Sequence, residues 1–155
     1  MGKDINFREK LRQALASTAR VISDDFKIDD QSKENKSSKK FDFFQIENLN
    51  SKSDFIKARA ESDSTALKKK FSDNEIYKKN LPNKLSCKSF YSIAEKIRYE
   101  ALGGRMLKGI EKNLQENYSQ IINLKRKDQL KSKDDVPVIE AFELYMLKNF
   151  HNIKL

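Results

Sequence analysis

The chain has 155 residues, of which 32 are basic and 23 acidic, so that its formal net charge is +9. Its one cysteine, Cys87, cannot form an internal disulfide, which favours a reducing compartment. The sequence contains no apolar run near the ~18 residues that a membrane span needs, and residues 1–10 are too polar for a secretory signal. We therefore expect a single cytoplasmic domain spanning 1–155.

The first predicted element is an amphipathic helix from about Phe7 to Ile22. Asn6 precedes it and Glu9 follows three residues later, which is the arrangement of a capping box with Asn in the serine position. The residues spaced to form a core-facing stripe are Phe7, Leu11, Leu15, Thr18 and Ile22.

The pattern changes between Asp24 and Asn50. Residues 26–28 and 41–46 alternate in part, as short strands do, and predict a small two-stranded β element. The stretch between them, 29–40, is polar and rich in serine and lysine, which indicates a flexible loop. Because a two-stranded ribbon is marginal alone, we expect it to pack on helices.

A second helix is predicted over 54–71, capped by Ser51 or Ser53. Asp63 falls on its apolar face, an unusual position for a carboxylate; the other members of this face are Ile56, Ala60, Leu67 and Phe71. A short helix over 74–79 should end before Leu81-Pro82, since proline disfavours helix in the residue before it.

The longest helical stretch runs from about Lys88 to Leu124. Its first half should bury Phe90, Ala94, Ile97 and Ala101, and its second half Leu107, Ile110, Leu114, Tyr118 and Ile121. The second stripe is rotated by about a third of a turn from the first, and the change falls at Gly103-Gly104. Glycine weakens a helix, so we predict a bend or break there, which makes the stretch behave as two helices.

Residues 125–135 form a predicted charged linker to a final helix that begins near Val136-Pro137, with proline in the tolerated first turn. The apolar stripe of this helix is Ile139, Phe142, Met146 and Phe150. The predicted fold class is therefore mainly α, a helical domain with a small two-stranded β element in the N-terminal third.

The residue types of most catalytic and cofactor sites are scarce. Gly104 and Gly109 have the spacing of a phosphate loop, but Ile110-Glu111 stand where that loop needs Lys and Ser/Thr. His151 and Cys87 are each the only residue of their kind, which is too few for a His/Cys metal cluster within one chain, and we do not expect them to form a Cys-His dyad. We assign no catalytic, cofactor-binding or metal-binding residue, and we expect His151 at the surface or at a helix end.

Charged residues are the remaining candidates. Arg59 and Asp63 are four residues apart and can pair along the second helix, whereas Glu95 and Arg98 are three apart on the next long helix. We expect Asp63 to be partly buried and to bridge a neighbouring helix, with Arg98 as its candidate partner. Binding of a partner or ligand by Asp63 is the alternative.

Two further charged residues lie around the predicted bend. Arg105 follows it and is either a docking point or a solvated helix arginine. Glu100 precedes it and is included among the structural or partner-binding charges.

Two blocks of the sequence carry a family resemblance: Arg59-Ala60-Glu61-Ser62-Asp63-Ser64-Thr65-Ala66-Leu67, closed by Ser72-Asp73, and residues 94–114, which read Ala-Glu-Lys-Ile-Arg-Tyr-Glu-Ala-Leu-Gly-Gly-Arg-Met-Leu-Lys-Gly-Ile-Glu-Lys-Asn-Leu. They resemble, in order and spacing, the N-terminal region of the CobT subunit of the aerobic, ATP-dependent cobaltochelatase. Leu81-Pro82 and residues 137–144 add weaker similarity. Two departures are Ser72 in place of the family's histidine and Met106 in place of an arginine.

The resemblance implies a subunit of the complex that inserts cobalt(II) into hydrogenobyrinic acid a,c-diamide in cobalamin biosynthesis. The whole complex uses ATP, magnesium and cobalt, none of them bound by this segment, and the implied partners are an AAA+ ATPase subunit and a large tetrapyrrole-binding subunit. CobT proteins normally continue through an acidic linker into a von Willebrand A domain, which this chain lacks. A docking role without an active site of its own is then expected, and homo-oligomerisation stays open.

A basic helical nucleic-acid-binding module is the alternative, suggested by the charge of +9 and by the Lys/Arg cluster in residues 125–133. Against it, the sequence contains no recognition helix with a dense basic face, no zinc finger and no RNA-type aromatic motif. An acidic segment of the same protein could equally account for the basic excess.

Overall fold

The computed structural model describes residues 2–25, 51–128 and 136–154. These residues form six helices, which are α1 (Gly2–Ser23), α2 (Lys52–Phe71), α3 (Asn74–Lys79), α4 (Leu85–Met106), α5 (Lys108–Asp128) and α6 (Val138–His151). The mainly helical class is confirmed, and the described ranges contain no strand. The predicted strands at 26–28 and 41–46 and the loop at 29–40 lie outside the described residues. None of the helices within these ranges is long and apolar enough to cross a membrane.

Helix α2 is the central element, since it contacts α1, α4 and α5, while α6 packs mainly on α4. The C-terminal ends of α1 and α2 lie side by side, where Lys70 pairs with Asp24 and Lys69 with Asp25. Burial is concentrated where α2, α4 and α5 meet: the most enclosed large apolar side chains are Leu67, Ile97 and Leu114.

The start of α2 follows from local chemistry. Ser51 caps it: its hydroxyl accepts from the Asp54 amide at 3.2 Å, and the Asp54 carboxylate accepts from the Ser51 amide at 3.0 Å, a complete capping box. Ser53, the other candidate cap, instead donates its hydroxyl to Gln120 at 3.0 Å and ties α2 to α5. At the other end, Asp73 caps α3 by accepting from two of its amides.

The predicted division of this stretch into two helices is confirmed, but the break lies at Leu107, three residues after Gly104. Both glycines are helical and buried, and α4 ends at Met106, followed by Leu107 in an extended conformation (φ −136°, ψ 106°). A Cβ on Gly103 would overlap the Leu67 side chain of α2. Glycine is therefore required at position 103 because two helices approach closely, and the break that separates the two stripes lies at Leu107.

Several predicted core faces differ from the observed ones. Leu15 and Ile22 of α1 are buried as expected, whereas Phe7 and Thr18 are exposed. Leu107, between α4 and α5, and Ile121 of α5 were expected in the core and are exposed. The errors at Thr18 and Ile121 are shifts of one position, since the next residues, Ala19 and Ile122, are buried; one position rotates a helical face by ~100°.

Helix α6 turns a different face to the core than its pattern predicts. Leu147 and His151 are buried, while Ile139 and Phe150 are exposed. Of the predicted stripe, Phe142 and Met146 are half-buried. Apolar residues occur on most sides of this helix, so the pattern alone does not select one face.

The predicted linker at 125–135 starts too early. Residues 125–128 belong to α5, and residues 129–135 lie outside the described residues. Lys125 lies 2.6 Å from the Glu140 carboxylate and joins α5 to α6. Helix α6 begins at Val138, after Pro137, which agrees with the predicted start near 136–137.

Candidate functional site: a buried polar cluster and its cleft

Glu100 of α4 is the centre of a buried polar cluster that joins three helices. It is 1% exposed. The Tyr118 hydroxyl of α5 donates to its Oε2 at 2.6 Å, and the Ser64 hydroxyl of α2 donates to its Oε1. Each carboxylate oxygen therefore has a donor from a different helix, which satisfies a group that would be costly to bury alone.

His151 closes the cluster from the end of α6. It was expected at the surface or a helix end; it does end α6, but it is only 2% exposed. Its Nε2 lies 3.7 Å from Glu100 Oε2 and has no hydrogen-bond partner among the described residues. Its ring centroid is 5.6 Å from that of Tyr118, and its carbonyl accepts from Gln115 at 2.9 Å.

Burial dominates the electrostatics of this cluster. It raises the pKa of the Glu100 carboxyl, against the opposing charge of Lys96 and the hydrogen bonds from Ser64 and Tyr118. Burial also raises the pKa of Tyr118, and the adjacent Glu100 carboxylate raises it further. Burial and the positive charge of Lys96 lower the pKa of His151 to about 4. The imidazole is therefore neutral at physiological pH.

A small cleft opens above Glu100 and Tyr118 between α2, α4 and α5. Its volume is about 160 Å³, and its lining residues are Ala60, Glu61, Ser64, Thr65, Lys96, Glu100, Leu114, Asn117 and Tyr118. Lys96 reaches over the Tyr118 ring, with its Nζ 5.3 Å from the centroid. Small-molecule sites typically have about 300–1,000 Å³, so this cleft has room for a few water molecules or a small ion and not for a tetrapyrrole.

Asp63 is buried as expected, but its partner is not Arg98. The side chain is 4% exposed and accepts from Asn113 Nδ2 of α5 at 2.8 Å. Burial raises the pKa of its carboxyl, while the Asn113 hydrogen bond and the charge of Arg59 lower it. Arg59 is exposed, with its guanidinium 5.7 Å from the Phe55 ring centroid, and acts on Asp63 through its charge.

The predicted ion pair between Glu95 and Arg98 forms, and Arg98 also donates to a backbone carbonyl at the end of α2. The guanidinium donates to both carboxylate oxygens, at 2.7 and 2.8 Å, and also to the Phe71 carbonyl at 2.7 Å. Ser72 donates to the same carboxylate. Because Phe71 is the last residue of α2, Arg98 satisfies a carbonyl at the helix end, where a positive charge is favourable.

Arg105 lies apart from the other candidates. It is exposed at the end of α4, next to the residues that turn the chain into α5. The structure therefore brings Asp63, Glu95, Arg98 and Glu100 to the contacts between α2, α4 and α5, and leaves Arg59 and Arg105 facing solvent.

The residues that sequence reasoning missed are the partners of the two buried carboxyls and of their cleft: Ser64, Lys96, Asn113, Tyr118 and His151. The burial of Tyr118 and His151 could have been predicted from their positions, because Tyr118 lies on the apolar stripe of α5 and His151 follows Leu147 by one helical turn. The roles of Ser64 and Asn113 could not have been predicted in this way, since their hydrogen-bond partners are 36 and 50 residues away in the sequence. Within the described ranges, no three His, Cys, Asp or Glu side chains are placed to hold a metal ion.

Comparison with known proteins identifies a family. No curated protein and no solved structure matches the chain. A family model described as "Cobalamin biosynthesis protein CobT" matches residues 6–150, which is nearly the whole sequence. The match covers both blocks that resemble CobT, the whole of α2, α4 and α5, and α6 as far as the residue before His151. The chain therefore belongs to the CobT family of cobalamin biosynthesis proteins.

Proposed function

We propose that this chain is a non-catalytic assembly and docking domain of a cobaltochelatase subunit. The complex inserts cobalt(II) into hydrogenobyrinic acid a,c-diamide, and the partners of the domain are an AAA+ ATPase subunit and a large tetrapyrrole-binding subunit. The family membership supports participation in cobalamin biosynthesis. The proposed docking role is supported by the burial of two carboxyls, Glu100 and Asp63, inside the helix contacts.

The observation that carries the docking role is the enclosure of the two carboxyls with raised pKa values. Glu100 accepts from side chains of α2 and α5, and Asp63 accepts from an amide of α5. Carboxyls with perturbed pKa values mark active sites when they face a substrate pocket, but structural networks perturb them too. Here both are 4% exposed or less, and the adjoining cleft is small. Their role is to fix the packing of α2, α4 and α5.

The surface supports the same role. Large apolar side chains are exposed on the described residues, including the adjacent pair Met106 and Leu107. Protein interfaces combine apolar side chains with a polar and charged rim. The net charge of +9 provides attraction for an acidic partner surface.

The experiment is co-elution of the purified chain with each of the other two subunits on size exclusion, with ATP and magnesium present because the complex uses them. We expect the chain to move to the position of a complex with at least one subunit. Elution alone in both mixtures would contradict the proposal. Binding to duplex or single-stranded DNA that weakens steeply with salt, without binding to either subunit, would favour the nucleic-acid alternative.

A further inference from the structure

The junction of α4 and α5 presents five consecutive exposed residues, Arg105, Met106, Leu107, Lys108 and Gly109, which we call the α4–α5 corner. Two of them are adjacent apolar side chains, with Met106 50% exposed and Leu107 45% exposed. The residues on either side, Gly104 and Ile110, are buried. The corner thus exposes two adjacent apolar side chains between two buried positions.

The backbone of Leu107 serves both helices. Its amide donates to the Gly103 carbonyl at 3.0 Å and ends α4, while its carbonyl accepts from the Ile110 amide at 2.9 Å and begins α5. Residue 107 is therefore the N-cap of α5. Such positions favour Ser, Thr, Asp or Asn, whose side-chain oxygen accepts from a first-turn amide. Leucine offers no acceptor and is not buried either, so neither local stability nor core packing accounts for it.

The charge around the corner is positive. Arg105, Lys108 and Lys112 are exposed, and none of them forms an ion pair with a described residue. Glu111 is the acidic side chain at this end of α5, and it lies against Gly104. The first amides of α5 add the positive end of a helix dipole.

We propose that the α4–α5 corner docks an acidic segment of a partner protein, with an apolar side chain of that segment seated on Met106 and Leu107. Carboxylates of the segment pair with Arg105, Lys108 and Lys112 and accept from the first amides of α5. A protein segment fits better than a nucleic acid, because a phosphate backbone supplies charge but no apolar group to cover two apolar side chains. This inference rests on the proposed docking function and assigns it a surface.

The most informative variant is Leu107→Ser, which should raise the stability of the domain and lower its affinity for the partner subunit. Serine supplies the missing cap of α5, so the thermal midpoint should rise. Binding to the partner subunit should weaken about tenfold, as for an apolar interface anchor. The matched control is Leu124→Ser on α5, which removes a leucine of similar exposure (56%) and should leave the affinity unchanged.

The positive charge of the corner is tested by a charge reversal with a matched control. Lys108→Glu places an acid at the first residue of α5, where the helix dipole favours it, so the fold should be as stable as before or more so. The affinity should fall and should depend less on salt. Lys52→Glu is the control, since Lys52 is the exposed first residue of α2 and lies outside the corner.

The probes are the intact ATPase subunit and the intact large subunit, each titrated against the chain. Wild-type affinity in both Leu107→Ser and Lys108→Glu would overturn the corner while leaving the docking function intact. Failure of the wild-type chain to bind either subunit would overturn both proposals. DNA binding that is lost in Lys108→Glu and kept in Leu107→Ser would assign the corner to a nucleic acid and overturn the acidic protein segment.

Discussion

Gly103 of α4 lies directly against the Leu67 side chain of α2, with no space for a methyl group between them. Leu67 is fully buried, so it cannot turn aside into solvent. The contact sets the distance at which α4 crosses α2, and it thereby places Glu100, three residues earlier on α4, within reach of Ser64.

Gly103→Ala should therefore destabilise the domain. Overpacking of this kind costs about 1–3 kcal/mol, which exceeds the gain in helix propensity of ~1 kcal/mol from replacing glycine by alanine. Urea unfolding followed by circular dichroism measures the difference. The control is Gly109→Ala, where a Cβ would meet nothing within 4 Å, and there we expect unchanged or slightly higher stability. Equal effects of the two substitutions would contradict the account of Gly103.

Tyr118→Phe should remove the donor to Glu100 Oε2 while keeping the ring in place. A buried acceptor left without its partner costs about 1–3 kcal/mol, so the midpoint of urea unfolding should fall accordingly. Tyr145→Phe provides the comparison, because Tyr145 is 63% exposed and should be insensitive. A loss of stability as large in Tyr145→Phe as in Tyr118→Phe would argue against the role given to the buried cluster.

Asn113→Ala should destabilise the domain by about 1–3 kcal/mol, since it takes away the amide donor of the buried Asp63 carboxylate. In a cycle with Asp63→Asn, the double variant should lose less than the sum of the two single losses, because the partners are in direct contact. Additive losses would show that the contact contributes little. If Asp63→Asn kept full stability and abolished assembly with the ATPase subunit, Asp63 would instead be an interface residue.

His151 predicts a specific pH dependence. Its pKa is about 4 in the folded chain against 6.5 for an ordinary histidine, so the unfolded chain binds the proton more tightly. The contribution to stability is complete above pH 6.5 and is lost as the pH falls towards 4, by about 3 kcal/mol in all. The raised pKa values of Glu100 and Asp63 act with the opposite sign, because they favour folding as the carboxyls take up protons.

The difference between wild type and His151→Gln isolates the histidine from these carboxyls. Glutamine does not titrate, so this difference in unfolding free energy should change between pH 6.5 and pH 4. Parallel stability curves over that range would contradict the burial of a neutral imidazole at the end of α6.

Local patterns predicted the elements whose cause is local. A serine cap of α2, at Ser51 or Ser53, could be predicted because capping depends on neighbouring residues, and the start of α6 after Pro137 depends on proline alone. The burial of Asp63 could be predicted because it lies on an apolar stripe. Its partner could not, because Asn113 is 50 residues away and nothing in its own surroundings marks it.

The role of Gly103 could not be predicted from the sequence either, because it depends on a contact with another helix. Glycine permits both a bend and a close approach, and only the position of Leu67 on another helix distinguishes the two. Similarly, the sequence of α6 offers more than one apolar face, and the contact of His151 with Glu100 and Gln115 selects the one that is buried. Tertiary contacts of this kind are absent from single-helix periodicity.

We propose that this domain associates with its partner subunits and does not carry out the chemistry itself. Isothermal titration of the purified chain into the ATPase subunit, and separately into the large subunit, measures that association most directly. We predict a saturable heat with a defined stoichiometry for at least one of them, and no cobalt insertion by the chain alone. Absence of binding to both, or cobalt insertion into the corrin precursor by the chain without other subunits, would contradict it.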